Sequence, residues 1–352
     1  ALVISVAIVA PAAAQPRPGA IRTARATRAD SGLDTQGLVG SARVALDASS
    51  TRIDGGQFTS GSLSAAALPF VSEHLQVGLA PTYTVTTASH PATPVQPAGS
   101  QTYQSYGVGL TANYVVGGGR RWRGYAGGYA FERGATHVPG ASQLGAQAGA
   151  LYFLDPAVAV RAELRYRVPS SGSGPRHGSG VAFLTLDPYL FGRASTGGAT
   201  RAGLGTADVR VFAYHQSSWY GQQSGISGII APYLTPWAQV GVEGEAVSFS
   251  EFGGRGVSGV REFVRGYLPL AARTQPFAEV FRQHGTDAIL QPASGWTVGV
   301  RQLLAPRVAL DVGVRRTIPT PITLDQALGY RFRLPGETGL VLGLTTRLGR
   351  LR

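Results

Sequence analysis

From residue 38 to residue 350 the chain alternates apolar and polar side chains with a period of two. Between Ala157 and Arg167, one face holds Val158, Val160, Ala162, Leu164 and Tyr166, and the other holds Ala159, Arg161, Glu163, Arg165 and Arg167. Successive side chains of a strand point to opposite faces, so this spacing predicts β-strand. The pattern returns with Val308, Leu310, Val312 and Val314 set against Ala309, Asp311, Gly313 and Arg315. It returns again with Leu75, Val77 and Leu79 against Gln76, Gly78 and Ala80, and in a final segment with Leu340, Leu342, Leu344 and Leu348 against Val341, Gly343, Thr345 and Arg347. Sixteen such segments are expected, at 38–53, 57–68, 75–87, 102–116, 122–133, 143–154, 157–168, 180–192, 201–214, 225–234, 237–250, 257–269, 276–285, 294–304, 307–317 and 338–350. Residues 327–333 add a further candidate, and the range is 14–18 strands. Val257–Tyr267 and Phe277–His284 place charges or aromatics on both faces, so neither face is assigned as apolar.

The connections carry a second signal. LPFVSEHLQVGLAPTY (68–83), LYFLDPAVAVRAELRY (151–166), APYLTPWAQVGVEGE (231–245) and QLLAPRVALDVGVRR (302–316) each join strands through a tight turn. Longer polar stretches lie between them, at 88–101, 168–180, 215–225 and 316–326. Short turns on one side and long loops on the other are the asymmetry of a transmembrane barrel. Phe70, Tyr114, Trp122, Tyr152, Tyr189, Tyr233, Trp237 and Tyr267 all stand beside short turns, where an interfacial aromatic girdle is expected.

Composition narrows the class. Charged residues make up only 14%, yet mean hydropathy is +0.04 and no run approaches the roughly 20 apolar residues of a spanning helix. One lipid-facing and one wet face per strand give this average. There is no cysteine, which removes disulfides and thiolate metal sites. The net charge of +12 comes from arginines spread along the chain, without the basic and aromatic clusters of a nucleic-acid surface. The six histidines (74, 90, 137, 177, 215 and 284) have no ligand spacing, and Gly117-Gly118-Gly119 precedes two arginines rather than the Lys-Ser/Thr of a phosphate loop. No metal or cofactor is expected. Residues 1–14 (ALVISVAIVAPAAA) read as the remnant of a signal peptide with cleavage near Ala14/Gln15, residues 15–37 as a flexible periplasmic lead, and 38–352 as the barrel.

The turn units, the alternation and the final amphipathic strand resemble bacterial outer-membrane β-barrel proteins of the porin-like kind over residues 38–350, with no single family indicated. The resemblance implies an all-β, antiparallel, up-and-down transmembrane barrel of about 16 strands in a Gram-negative outer membrane. It also implies contact with outer-membrane lipid and insertion by the barrel-assembly machinery. The last residues, Leu348 to Arg352, lack the terminal aromatic common in such barrels.

A barrel of this size is wide enough for a water-filled channel, so passive transport of small polar solutes is the first functional expectation. The inward faces predict a lining of Arg161, Glu163, Arg165, Arg167, Asp208, Arg210, Glu243, Glu245, Arg301, Asp311, Arg315 and Arg347. Seven arginines among them against five carboxylates predict a mild anion preference. A second reading is a lipid hydrolase: His215-x-Ser217 resembles the catalytic pair of outer-membrane phospholipases and lipid A deacylases, although no acidic orienter is recognisable. A polar loop start is the simpler reading of His215 and Ser217, so an enzyme is not the expectation. A third reading is a structural or adhesive barrel with a plugged lumen. No oligomeric state follows from the sequence.

Overall fold

In a computed structural model of the chain, the described residues are 38–53, 58–90, 99–117, 121–136, 138–170, 178–191, 202–218, 221–250, 256–268, 273–285, 292–320, 322–325, 330–332 and 336–349. The expected signal peptide (1–14) and lead (15–37) lie outside them. The strands are β1 (Ala42–Ile53), β2 (Phe58–Pro69), β3 (Leu75–His90), β4 (Gly99–Gly117), β5 (Trp122–Ala135), β6 (Val138–Asp155), β7 (Val158–Pro169), β8 (Ser179–Leu190) and β9 (Ala207–Ser218). They continue as β10 (Gly221–Thr235), β11 (Ala238–Phe249), β12 (Gly256–Tyr267), β13 (Thr274–Gly285), β14 (Ala293–Ala305), β15 (Val308–Pro319), β16 (Ile322–Asp325), β17 (Tyr330–Phe332) and β18 (Glu337–Leu348). Sixteen of them, all except the β16–β17 hairpin, close into one antiparallel barrel in which sequence neighbours pair and β1 meets β18. Of the segment expected at 327–333, the described part, Tyr330–Phe332, is one arm of that hairpin and no barrel stave.

Alternation sorts the two faces. On β7, Leu164 is 68% exposed while its neighbour Glu163 is 4% exposed; on β13 the contrast is Val280 at 63% and Glu279 at 2%. Exposed apolar residues of this kind (Val77, Leu110, Leu144, Val242, Val298 and Leu340 among them) recur around the outer face. Soluble proteins rarely carry so much contiguous apolar surface. Lipid makes it favourable, and ring closure satisfies the strand-edge hydrogen bonds that lipid cannot.

Two loop expectations are corrected. Within the stretch 215–225, residues 215–218 and 221–225 are strand rather than loop: β9 runs to Ser218 and β10 begins at Gly221. Its polar residues keep the two-residue period, and polar side chains suit strand ends beyond an apolar belt. Conversely, a long connection, residues 191–206, joins β8 to β9 on the side of the short turns.

The barrel also has a waist. β1 pairs with β18 only from Asp47↔Gly343 to Ile53↔Glu337, and β8 pairs with β9 only from Gly180↔Ser217 to Thr185↔Phe212. Towards the side of Leu38 and Leu348 the strands change partners. Ala42 and Arg43 pair with Leu190 and Tyr189, and Thr346, Arg347 and Leu348 pair with Val209, Asp208 and Ala207. At this end β1–β8 form one ring, and β9–β15 with β18 form another. Apolar residues pack between the rings. Leu340 is 57% exposed but Leu344, two turns of the pleat along the same face, is 7%; Leu184 and Leu190 read 47% and 6%. Leu190 and Leu344 join Val44, Leu46, Val308 and Leu310 in one cluster.

Candidate functional site: the barrel lumen

The inward faces at the waist end are filled. An eight-stranded ring is only wide enough for side chains, so each ring builds a plug. In the first ring, Arg161 bonds Asp187 through Nε (2.6 Å) and lies in an ion pair with Glu163, a terminal nitrogen 2.9 Å from the carboxylate. Arg165 reaches the other oxygen of Glu163 at 2.8 Å, Tyr125 donates its hydroxyl to Glu163 at 2.7 Å, and Arg43 reaches Asp187 at 3.3 Å. Below them Gln147 donates to Asn113, which donates to Gln76, which donates to the Leu68 carbonyl.

The second ring centres on Arg301, which has 0% exposure. Its guanidinium holds Asp311 by two bonds (2.6 and 2.7 Å), holds Asp208, and donates to the Tyr233 hydroxyl. Arg347 also pairs with Asp208, at 3.3 Å. Arg265 bridges Glu279 (2.6 Å) and Asp311 (2.9 Å) and lies 4.5 Å over the Phe277 ring. Gln239 donates to Asp208 and accepts from Tyr267. Buried ions are tolerable only where opposite charges meet them in this way.

Above the waist the two halves share one space. Arg210 reaches across it, to Asp47 of β1 at 3.2 Å and to Glu243 at 2.9 Å. Arg261 also pairs with Glu243. A cavity of about 310 Å³ opens here, lined by Arg210, Glu243, Glu245, Arg261, Asp311 and Arg315 among others. Arg167, nearer the far end of β7, donates to Ser179 at 2.7 Å.

The structure therefore places Arg161, Glu163, Arg165, Asp208, Arg301, Asp311 and Arg347 in the plugs, and Arg210, Glu243, Glu245 and Arg315 around the shared cavity. Sequence reading missed Arg43, Asp47, Asp187, Arg261, Arg265 and Glu279. The signal for three of them was present: β12 and β13, the segments with charge on both faces, turn Arg261, Arg265 and Glu279 inward among Phe263, Phe277 and Phe281.

The aromatic girdle is corrected in half of its members. Tyr114, Trp122 and Trp237 are exposed on the outer face, and Tyr152 packs 4.8 Å from Trp122. Phe70, Tyr189, Tyr233 and Tyr267 instead point inward and are fully enclosed in the plugs. Strand parity decides which way each ring faces, and Tyr189 precedes the long connection 191–206 rather than a short turn. His215 and Ser217 share the outer face, but the His215 Nδ1 bonds Ser224 Oγ of β10 at 2.8 Å. Among the described residues no three His, Asp or Glu side chains come together as a metal site would require.

A closed antiparallel barrel with an apolar outer belt and a polar, ion-paired interior defines the class: this is a membrane-spanning β-barrel. No family model matches the chain, and no curated protein matches it. Among solved structures it is similar to a bacterial polysaccharide outer membrane secretin (9% identity, 89% of this chain and 99% of that one, TM-score 0.45). It is similar also to Pseudomonas putida OprB (7%, 88% and 93%, 0.41) and to the Acinetobacter baumannii outer membrane protein Omp33 (12%, 89% and 100%, 0.32).

Proposed function

We propose that the chain serves in the outer membrane of a Gram-negative bacterium as a porin-like channel of narrow bore for small polar solutes. It would be delivered there by a cleaved signal peptide and inserted among outer-membrane lipid by the barrel-assembly machinery. One observation carries the reading: a single chain closes a lipid-compatible ring around a charged interior, with a cavity of about 310 Å³ in its second half that Asp47, Ala48 and Ser49 of β1 border. Solutes reach that cavity from the side away from Leu38 and Leu348, where β1–β18 and β8–β9 pairing keeps the halves merged. Arg210, Arg261, Arg265 and Arg315 face it together with Asp47, Glu243, Glu245 and Asp311. Four arginines against four carboxylates favour neither sign at the cavity, so a mild anion preference would rest on the arginine surplus elsewhere along the inward faces. Reversal potentials across a salt gradient in planar bilayers test it; cation selectivity would remove the anion preference, and a permanent absence of current would remove the channel.

A second reading, a barrel plugged for a structural role, is favoured by the enclosed Arg301 and Arg161 networks. Solute-swelling of liposomes separates the two, because only a channel admits small sugars or amino acids.

A further inference from the structure

The two rings repeat each other in detail. Gly40-Ser41-Ala42-Arg43-Val44 opens β1 and Gly205-Thr206-Ala207-Asp208-Val209 opens β9. Both glycines take positive φ, 81° and 85°, and in each case the next residue's N–H closes a turn onto a carbonyl upstream, Leu38 or Gly203. Gln76 donates to the Leu68 carbonyl at 3.0 Å, and Gln239 donates to the Ala231 carbonyl at the same distance. A register shift between Phe153 and Asp155 lies opposite Val158, and one between Leu303 and Ala305 lies opposite Val308. Arg165 sits over Tyr129 and Arg315 over Phe281. A Cβ on Gly149 would strike the Ala162 carbonyl and Tyr125; one on Gly299 would strike the Val312 carbonyl and Phe277. The order of these features is the same in both halves, and residues 191–206 are the connection between them.

We propose that the chain is a tandem pair of eight-stranded barrel units, and that β1, β18, β8 and β9 form a movable strand-exchange junction that sets how far the two lumens are merged. The registers on either side of the junction are mutually consistent. Ala48 pairs with Leu342, and Leu184 pairs with Ala213. Continuing the β1–β8 and β18–β9 registers places Ala48 opposite Leu184 and Leu342 opposite Ala213. The same four residues thus have two complete sets of partners. Moving the junction exchanges one ladder for another with no net loss of backbone hydrogen bonds, so side chains decide its position. Zipping towards two rings covers the outward leucines as Leu190 and Leu344 are already covered. The Arg210–Asp47 pair opposes it: Asp47 belongs to the first ring, Arg210 to the second, and Asp47↔Gly343 is the first β1–β18 pair beyond the junction. Fully zipped, each lumen is a side-chain-filled eight-stranded ring; withdrawn, they merge.

The proposal rests on the channel reading for its consequence, but its test does not. The full chain has no cysteine, so paired cysteines report the junction directly. Directly opposed strand residues lie within disulfide reach. The pairs Ala48→Cys/Leu342→Cys and Ala48→Cys/Leu184→Cys are oxidised in the protein folded in liposomes. Ser50→Cys/Leu340→Cys and Ser50→Cys/Ala182→Cys serve as a second set should the first fail to give heat-modifiable, folded protein. Both members of a set are expected to cross-link. Asp47→Asn is expected to raise the yield of the Ala48–Leu184 product severalfold at the expense of Ala48–Leu342. The Ala48–Leu184 bridge should lower ion flux relative to its own reduced form. Cross-linking of Ala48 to Leu342 alone, unchanged by Asp47→Asn, would overturn the proposal whether or not the barrel conducts. Cross-linking without any current would leave the junction standing and count against the channel.

Discussion

Arg301 shows what parity reveals and what it hides. Its place on the inward face follows from the spacing of Val298, Val300 and Arg301, yet its charged partners come from β9 and β15, and Asp208 lies far away in sequence. Alternation is local, whereas ion pairing across a lumen depends on which strands oppose each other. Removing the guanidinium takes one counter-charge from each of two enclosed carboxylates, leaving Asp208 to Arg347 and Asp311 to Arg265. Arg301→Ala is expected to cost about 3–5 kcal/mol, the usual penalty for breaking a buried ion pair. Urea unfolding in liposomes, followed by tryptophan fluorescence, measures it. The misplaced aromatics have the same origin: Tyr189 and Tyr233 are close to strand ends, and only their parity with Asp187 and Ala231 places them inside. The His215–Ser224 bond engages the Nδ1 of the imidazole with a serine other than Ser217, and no acidic orienter stands beside the pair among the described contacts. The purified protein is therefore expected to release no fatty acid from phospholipid vesicles. Release that is lost in Ser217→Ala would reinstate the hydrolase reading.

At the scale of elements, the period of two was enough to find all sixteen staves, because each strand meets lipid on one face and polar groups on the other; the starts of β6 (Val138–Asp155, expected from 143) and β9 (Ala207–Ser218, expected from 201) were the least well placed. Connections were harder. Residues 215–225 are as polar as a loop, and only the pairing of Gly221 with Ser218 shows a tight hairpin. Lipid-facing positions should be intolerant of charge near mid-strand. Leu164→Arg is expected to destabilise by about 2–4 kcal/mol, the range for arginine on the lipid face of such barrels. Gly180→Arg, near the end of the strand paired with β7, should cost less in the same urea titration. Equal losses would argue that this face does not meet the bilayer core.

The waist belongs to the whole molecule and left no mark on the alternation. Each strand's two faces read the same whether β1 pairs with β18 or β8, so hydrophobic periodicity cannot report the change of partner. Similar turn units did recur in the sequence at 68–83, 151–166, 231–245 and 302–316. Their duplication became legible only once Gln76 and Gln239 were seen making the same bond. The waist carries the central claim, that the lumen is constricted where the chain's two halves close separately. Single-channel recording of the full chain in planar bilayers tests it most directly. Conductance steps far below those of an open ring of sixteen strands are predicted, together with larger steps when Arg301 and Arg161 are both replaced by alanine. Wide, continuously open channels in the unmodified protein would contradict it.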